Sequence, residues 1–559
     1  MSVWKGLVLL NGIGAPLRIP LFRRIWSASL LSNLGLMIHG VGAAWAMTRM
    51  TSSADMVALV QTALMLPVML LAVTAGAVAD MFDRRIVGLL AMSLGLTSAA
   101  TLSVLTHLDL LTPNVILIFT FLIGCAMALF GPSWQASVSE QVPPDTLPSA
   151  VALNGISYNI ARSFGPALGG IIVATAGAVA AFVCNAVLYL PLLVVFFLWR
   201  RDVEPSRLPP ERLGRAIVSG VRYISHSPSL RIVLWRTLAT GICGSSVLAL
   251  MALIARDLLG GGAQTFGMML GAFGMGAVIG ALNIETVRRF ITSETAIRIS
   301  VVTMGLGLAI VAVSRAPVLT AAALVVAGAG WMLAITLFNI NIQLSAPRWV
   351  AGRALATFQA AISGGIAMGS WFWGHIADGF GTDYALLFSA AALLLTPLLG
   401  LWLRMPAAGS RDEQTVDPLA DPEVALSIKG RSGPIVIEIE YRVDPQRARE
   451  FYGVMQEVQA SRQRNGAYGW SIARDLGDTH LWTERYHCPT WNDFLRQRSR
   501  ATRLERQLFQ TASDFHLGIE PIRVRRMLER PFGSVRWKDE TPDRAPDLLP
   551  AQANVVSGV

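Results

Sequence analysis

Residues 76 to 85 read GAVADMFDRR and stand between two runs almost free of charge, LVQTALMLPVMLLAVTA (59–75) and IVGLLAMSLGLTSAATLSVL (86–105). Asp80, Asp83, Arg84 and Arg85 are crowded into this turn. A chain in a bilayer has reason to segregate charge this way, because about 20 mostly apolar residues cross the hydrocarbon and the charges mark the turn outside it. Composition agrees. Of 559 residues only 15 % are charged and 53 % are hydrophobic, with a mean hydropathy of +0.51, whereas soluble domains run near about 25 % charged. The 50 Gly and 28 Pro also suit membrane helices. A net charge of +10 is what a positive cytoplasmic face supplies, so no nucleic-acid partner is called for. Cys125, Cys184, Cys243 and Cys488 show neither metal nor redox spacing, so neither a disulfide framework nor a metal site is expected.

Outward from this turn the spacing predicts twelve transmembrane helices: 25–48, 56–79, 86–107, 114–140, 149–174, 178–199, 231–255, 264–284, 295–314, 317–344, 351–376 and 383–404. Arg84, Arg85, Arg200, Arg201, Arg207, Arg212, Arg215, Arg222, Arg288, Arg289, Arg348 and Arg353 fall in the even connections, and little beyond Arg49, Arg256 and Arg315 in the odd ones. Basic connections stay cytoplasmic, so both termini are expected there. The expected organisation is a cytoplasmic N-terminal segment (1–20), a six-helix bundle (21–200), a cytoplasmic central loop (201–230) with the amphipathic RLGRAIVSGVRYI, a second six-helix bundle (231–405), a linker (406–432), a soluble domain (433–530) and a disordered tail (531–559).

The two halves repeat at a shift of 204 residues. Residues 124–155 lie over 328–359, matching Gly124 to Gly328, Leu129 to Leu333, Pro143 to Pro347, Ala150 to Ala354 and Ala152 to Ala356. Two such halves can rock about a central site, which is alternating access.

With these residues the chain resembles the major facilitator superfamily. The turn between the second and third helices of that superfamily carries a motif matched here by Gly76, Asp80, Asp83, Arg84 and Arg85, with Met81 where a basic residue is usual and Asp83 where Gly is usual. Asp80, at a helix end, can pair with basic groups or a helix N-terminus in one state and lose that partner in the other, a latch of the inner gate; Glu140 can pair with Arg84 or Arg85. The stretch ARSFGPALGG, with Arg162, Gly165, Pro166, Gly169 and Gly170, resembles the Gly-Pro motif of superfamily exporters. Residues 20–85 and APRWVAGRALATFQAAISGG (346–365) resemble the subgroup that includes the enterobactin exporter and related drug and siderophore efflux proteins. The resemblance covers 20–404 and implies export of a small organic molecule against proton entry, with the proton gradient as energy source and no cofactor.

Asp and Glu stand only at helix ends: Asp55, Asp80, Glu140, Asp257, Glu285, Glu294, Asp378 and Asp383. Proton coupling then falls to His39, whose ordinary pKa lies near neutrality, or to Asp55 and Glu140; His39 as a packing residue is the other reading. By the resemblance the first, fourth, seventh and tenth helices line the cavity, so Asn33, His39, Asn339 and Gln343 are the candidate substrate and proton path. Asn339 and Gln343 share a face. Arg162 or Arg236 would favour an anionic group. The expected partners are the small-molecule substrate and the lipid bilayer.

Past Arg404 the composition changes. PIVIEIEYRV alternates as a strand, REFYGVMQEVQASRQR is helical, GWSIARDL and HLWTERYH pair as strands, TWNDFLRQRSRATRLERQLFQTA reads as one helix and GIEPIRVRRML as a last strand. The order β-α-β-β-α-β predicts a small α+β ferredoxin-like cytoplasmic domain. It resembles the dimeric antibiotic-biosynthesis-monooxygenase-like barrels, with RQRNGAYGW (462–470) as the shared stretch. That resemblance implies a homodimer through this domain and raises an alternative, a membrane-tethered enzyme or regulatory module. His480, His487 and His516 are scattered, and Trp470, Trp482 and Trp491 read as core rather than as a cofactor box.

Overall fold

The computed structural model describes residues 14–143, 145–199, 213–347, 350–405, 422, 424–426, 428–499, 501–518 and 520–529. Most of the N-terminal segment, the first part of the central loop with Arg200, Arg201, Arg207 and Arg212, Arg348, most of the linker and the 531–559 tail lie outside them. The chain forms two compact units. One comprises 1–217, 232–343 and 352–408; the other comprises 218–231, 344–351 and 409–559.

In the first unit the helices are α1 (Pro20–Met50), α2 (Ala54–Met81), α3 (Arg84–His107), α4 (Pro113–Ser137) and α5 (Leu147–Leu198). The amphipathic α6 (Leu213–Ser225) follows, lying mostly in the second unit. Then come α7 (Pro228–Gly244), α8 (Ala263–Leu282), α9 (Ile284–Phe290), α10 (Ser293–Val313), α11 (Pro317–Ser345), α12 (Ala351–Phe380) and α13 (Thr382–Trp402). Starts follow local chemistry. Ser53, Asp83, Thr112 and Thr292 accept backbone N–H groups of the first turns of α2, α3, α4 and α10, satisfying donors that the helix itself leaves open.

Among the described residues ten helical stretches are long and apolar enough to cross a membrane. The expected windows 149–174 and 178–199 are the two helical runs of α5, which meet at a kink at Gly177 (φ 78°, ψ 176°), a backbone that only glycine adopts without strain. One difference from the expected windows matters. The window 231–255 is not one helix: α7 ends at Gly244 and is followed by two short helical pieces and a π-helical turn at Ile254–Leu258. α12, with Arg353, Gln359, His375 and Asp378 along it, is not among the ten.

Glycines matched by the repeat stand at matching crossings. A Cβ at Gly124 in α4 would lie 2.5 Å from the Leu64 carbonyl of α2, and one at Gly328 in α11 would collide with the Phe273 carbonyl of α8. The second and fourth helices of each half thus meet backbone to backbone, as small-residue crossings in membranes do.

The second unit carries strands β1 (Ile435–Arg442), β2 (Tyr468–Arg474), β3 (Leu481–Cys488) and β4 (Arg523–Leu528), in the order β2-β3-β1-β4 and antiparallel throughout. Helices α14 (Ala448–Arg464), α15 (Trp491–Ser499) and α16 (Arg503–Ser513) connect them. The single helix expected over 490–512 is two, because Thr502 and Glu505 form a reciprocal capping box that begins a new helix. Ile435, Ile437, Ile439, Phe451, Met455, Val458 and Tyr486 fill the core.

Candidate functional site

The charges of the 76–85 turn knit the first half together. Asp83 accepts the Arg85 backbone N–H at 2.8 Å. Arg84 pairs with Glu140 at 2.7 Å, one of the two partners that spacing allowed. Arg85 donates from Nε to the Phe196 carbonyl at 3.0 Å and from Nη2 to the Phe197 carbonyl, placing a cation on the last turn of α5, where its dipole is negative. Asp80 lies in the last turn of α2, and its side chain falls outside the described residues. Gly76 is where α2 meets the second half: a Cβ there would lie 3.6 Å from the Ala356 Cβ.

At the opposite end of the bundle the two halves are tied directly. Asp378 of α12 accepts the Ala54 N–H at 2.8 Å, so a carboxylate from one half caps a helix of the other. Asp55 lies within electrostatic reach of His375 and Asp378. Arg256 donates to the Thr48 carbonyl at 3.0 Å and pairs with Asp257 at 2.6 Å. A cavity of about 370 Å³ lies here, lined by Ser52, Arg256, Arg315, Asp378 and Asp383 among others. Sequence reasoning placed these carboxylates at helix ends; what it lacked was the long-range pairing of α2 with α12.

The Gly-Pro stretch has two faces. Gly165 and Gly169 abut Met37 and Ile38 of α1, where added Cβ atoms would come to 2.6 and 3.1 Å. Gly170 abuts α8: a Cβ on it would lie 2.6 Å from the Gly267 Cα, and the converse holds. Pro166 offers its carbonyl to the same contact, 2.9 Å from a Cβ placed on Gly267. One turn earlier Ser163 donates to the Gly274 carbonyl at 3.2 Å. Arg162 therefore sits where the halves meet, its guanidinium 6.0 Å from the Phe273 ring centre and 3.8 Å from the Met332 sulfur.

The expected path residues are not gathered into one cluster. His39 is fully buried against Phe182 of α5, ring centres 5.3 Å apart, and neither ring nitrogen has a hydrogen-bond partner. Asn33 donates to Ser29 on its own helix at 3.5 Å. Gln343 donates to Asn339 on α11, confirming their common face. No hydrogen bond among the described residues joins Asn33 or His39 to that pair. Arg236, the other cation considered for an anionic group, is occupied: it pairs with Glu294 and donates to the Leu403 carbonyl at 3.2 Å.

In the second unit the RQRNGAYGW stretch is a structural knot. Glu484, fully buried, accepts from Arg462 (3.0 Å), Trp470 (3.0 Å) and Tyr441 (3.2 Å). Burial works against the Arg462 charge, and Glu484 more than offsets it, so the pKa of the guanidinium is raised. Glu505 accepts from Ser461, Arg464 and Asn465 at 2.8, 2.6 and 2.7 Å. Arg464 also lies 5.6 Å from the ring centre of Tyr223 in α6, which attaches the loop helix to this unit. Trp470, Trp482 and Trp491 join the core, and His516 accepts the Arg442 N–H at 3.0 Å. Among the described residues no cluster could hold a metal ion.

A family model described as "Transmembrane secretion effector" matches residues 12–532, the helical unit and the α+β domain alike. The chain belongs to this family of major facilitator superfamily transporters, multi-pass membrane proteins and not enzymes. It is 27 % identical over 272 residues to the staphyloferrin A transporter of Staphylococcus aureus, covering 48 % of this chain and 67 % of that protein. It is 23 % identical over 390 residues to the multidrug efflux pump Tap of Mycolicibacterium fortuitum (67 % and 94 %), and 26 % identical over 363 residues to the enterobactin exporter EntS of Salmonella choleraesuis (64 % and 86 %). Among solved structures the nucleoside transporter NupG aligns with a TM-score of 0.56 at 12 % identity (69 % and 100 %), and the D-xylose-proton symporter with 0.55 at 13 % (68 % and 98 %). At such identities these likenesses concern the fold alone.

Proposed function

We propose that this chain is a twelve-crossing exporter that moves a small organic molecule, a siderophore or drug, out of the cytoplasm by proton antiport and alternating access. The count of twelve takes the two runs of α5 separately and adds α12. The observation that carries the reading is the pair of seams between halves, α5 on α8 at Gly170–Gly267 and α2 on α12 at Ala54–Asp378. Halves joined along such seams can close one end while the other opens. The names of the relatives support a siderophore or drug as cargo.

The Arg-rich even connections support cytoplasmic termini in a bacterial inner membrane. The turn at 76–85 acts as the inner latch, with Asp80 as its switching group. The tail is a ferredoxin-like module: its β-α-β-β-α-α-β order, with two helices where one was expected, and its antiparallel β2-β3-β1-β4 sheet support that reading. Its role is regulatory or dimerising. Accumulation of siderophores, dyes and antibiotics in cells expressing the chain tests the function. Accumulation of at least one compound falls, and rises again when the proton gradient is collapsed; an unaltered panel contradicts export.

A further inference from the structure

Several arginines of the helical unit are matched by carboxylates, and Arg162 is not one of them. Arg84 is matched by Glu140, Arg236 by Glu294, Arg256 by Asp257 and Arg315 by Asp383. Arg162 has no carboxylate partner among the described residues; its neighbours are the Phe273 ring and the Met332 sulfur. It stands midway between Leu147 and the Gly177 break, at the depth where a charge costs most.

Its place is fixed. Ser163 next to it bonds across to Gly274, and a Cβ on Gly274 would come to 2.7 Å from the Arg162 carbonyl. Asn159, three residues before on the same helix face, has a buried side-chain oxygen without a hydrogen-bond partner. On α11, Met332, Asn339 and Gln343 are spaced by seven and four residues and form one stripe. Arg162 therefore touches the head of the stripe that carries the polar pair expected in the substrate path.

We propose that Arg162 binds an acidic group of the transported molecule, so that the cargo is an organic anion. Resting on the export reading above, this names the class of its substrate. A guanidinium offers two parallel N–H donors that match a carboxylate. The ligand's charge offsets the cost of a cation at that depth, and the residue stands on α5 of the first half and touches α8 and α11 of the second, so occupancy is felt by both.

Equilibrium binding to the purified full-length chain in nanodiscs tests it, with enterobactin and a citrate-based siderophore as acids and rhodamine 6G as a cationic ester. The acids bind the wild type. Arg162→Gln weakens them about ten-fold or more relative to the cation, and Arg162→Lys, which keeps the charge, recovers most of the loss. Acids that bind wild type and Arg162→Gln alike, or that do not bind the wild type, overturn the proposal. Acids that bind through Arg162 but are not moved by vesicles leave the site standing and refute the export reading instead.

Discussion

Gly124 of α4 and Gly328 of α11 occupy the same crossing in the two halves, each pressed against a backbone carbonyl of the helix two places earlier in its half. A side chain at either position must separate the helices. Gly124→Val and Gly328→Val should each destabilise the bundle by about 1–3 kcal/mol and lower the Tm of the detergent-purified chain by similar amounts. Gly131→Ala, at a position with nothing within 4 Å of an added Cβ, should change it little. Unequal responses at the two matched glycines would refute their equivalence.

The Arg84–Glu140 pair joins the 76–85 turn to the end of the fourth helix. Arg84→Glu or Glu140→Arg alone puts like charges together and should slow transport several-fold. The exchanged double variant should recover a good part of the rate, and a double variant no faster than the singles would show that the pair itself does not matter.

Asp378 caps α2 from the other half. Asp378→Ala removes a cap worth about 0.5–2 kcal/mol from one closed end only. Thiol labelling of a cysteine introduced at Ser52, beside the cavity there, should accelerate several-fold in this background. Equal labelling in both backgrounds would mean that the contact does not hold that end shut.

Cys488 is buried in the tail, with its thiol pushed up to about 12 by burial and its Sγ 3.2 Å from the Gln497 oxygen. A folded-state pKa raised above the ordinary value near 9.0 means stability is complete below that value and is lost as pH rises from there through about 12. Cys488 should stay unreactive to maleimide at pH 9, and Glu484→Ala should expose it. That substitution leaves Arg462 as a buried unpaired charge, at a cost of about 3–5 kcal/mol. Rapid labelling of the wild type at pH 9 would contradict the buried environment.

Much of this was legible because a membrane demands long apolar runs and puts basic residues in the turns. The repeat and the Gly-Pro stretch carried the crossings, since only small residues allow them. The break in α5 was legible too, since the windows 149–174 and 178–199 part at Gly177. Long-range contacts escaped. The cap of α2 by Asp378 joins residues 324 positions apart, and nothing local in either segment announces the other. In the tail, the pairing of Arg462 with Glu484 was hidden for the same reason, although the stretch that holds it stood out.

A chain that exports in exchange for protons must move both. The most direct measurement is proton movement in everted vesicles that hold a pH gradient, on addition of each siderophore, dye or antibiotic, with wild type, His39→Gln and Asp80→Asn compared. At least one compound should draw protons out of the wild-type vesicles, and Asp80→Asn should slow this; coupling that survives in His39→Gln would remove His39 as the carrier and leave Asp55 and Glu140. Transport of a compound that leaves the gradient untouched in the wild type would contradict antiport.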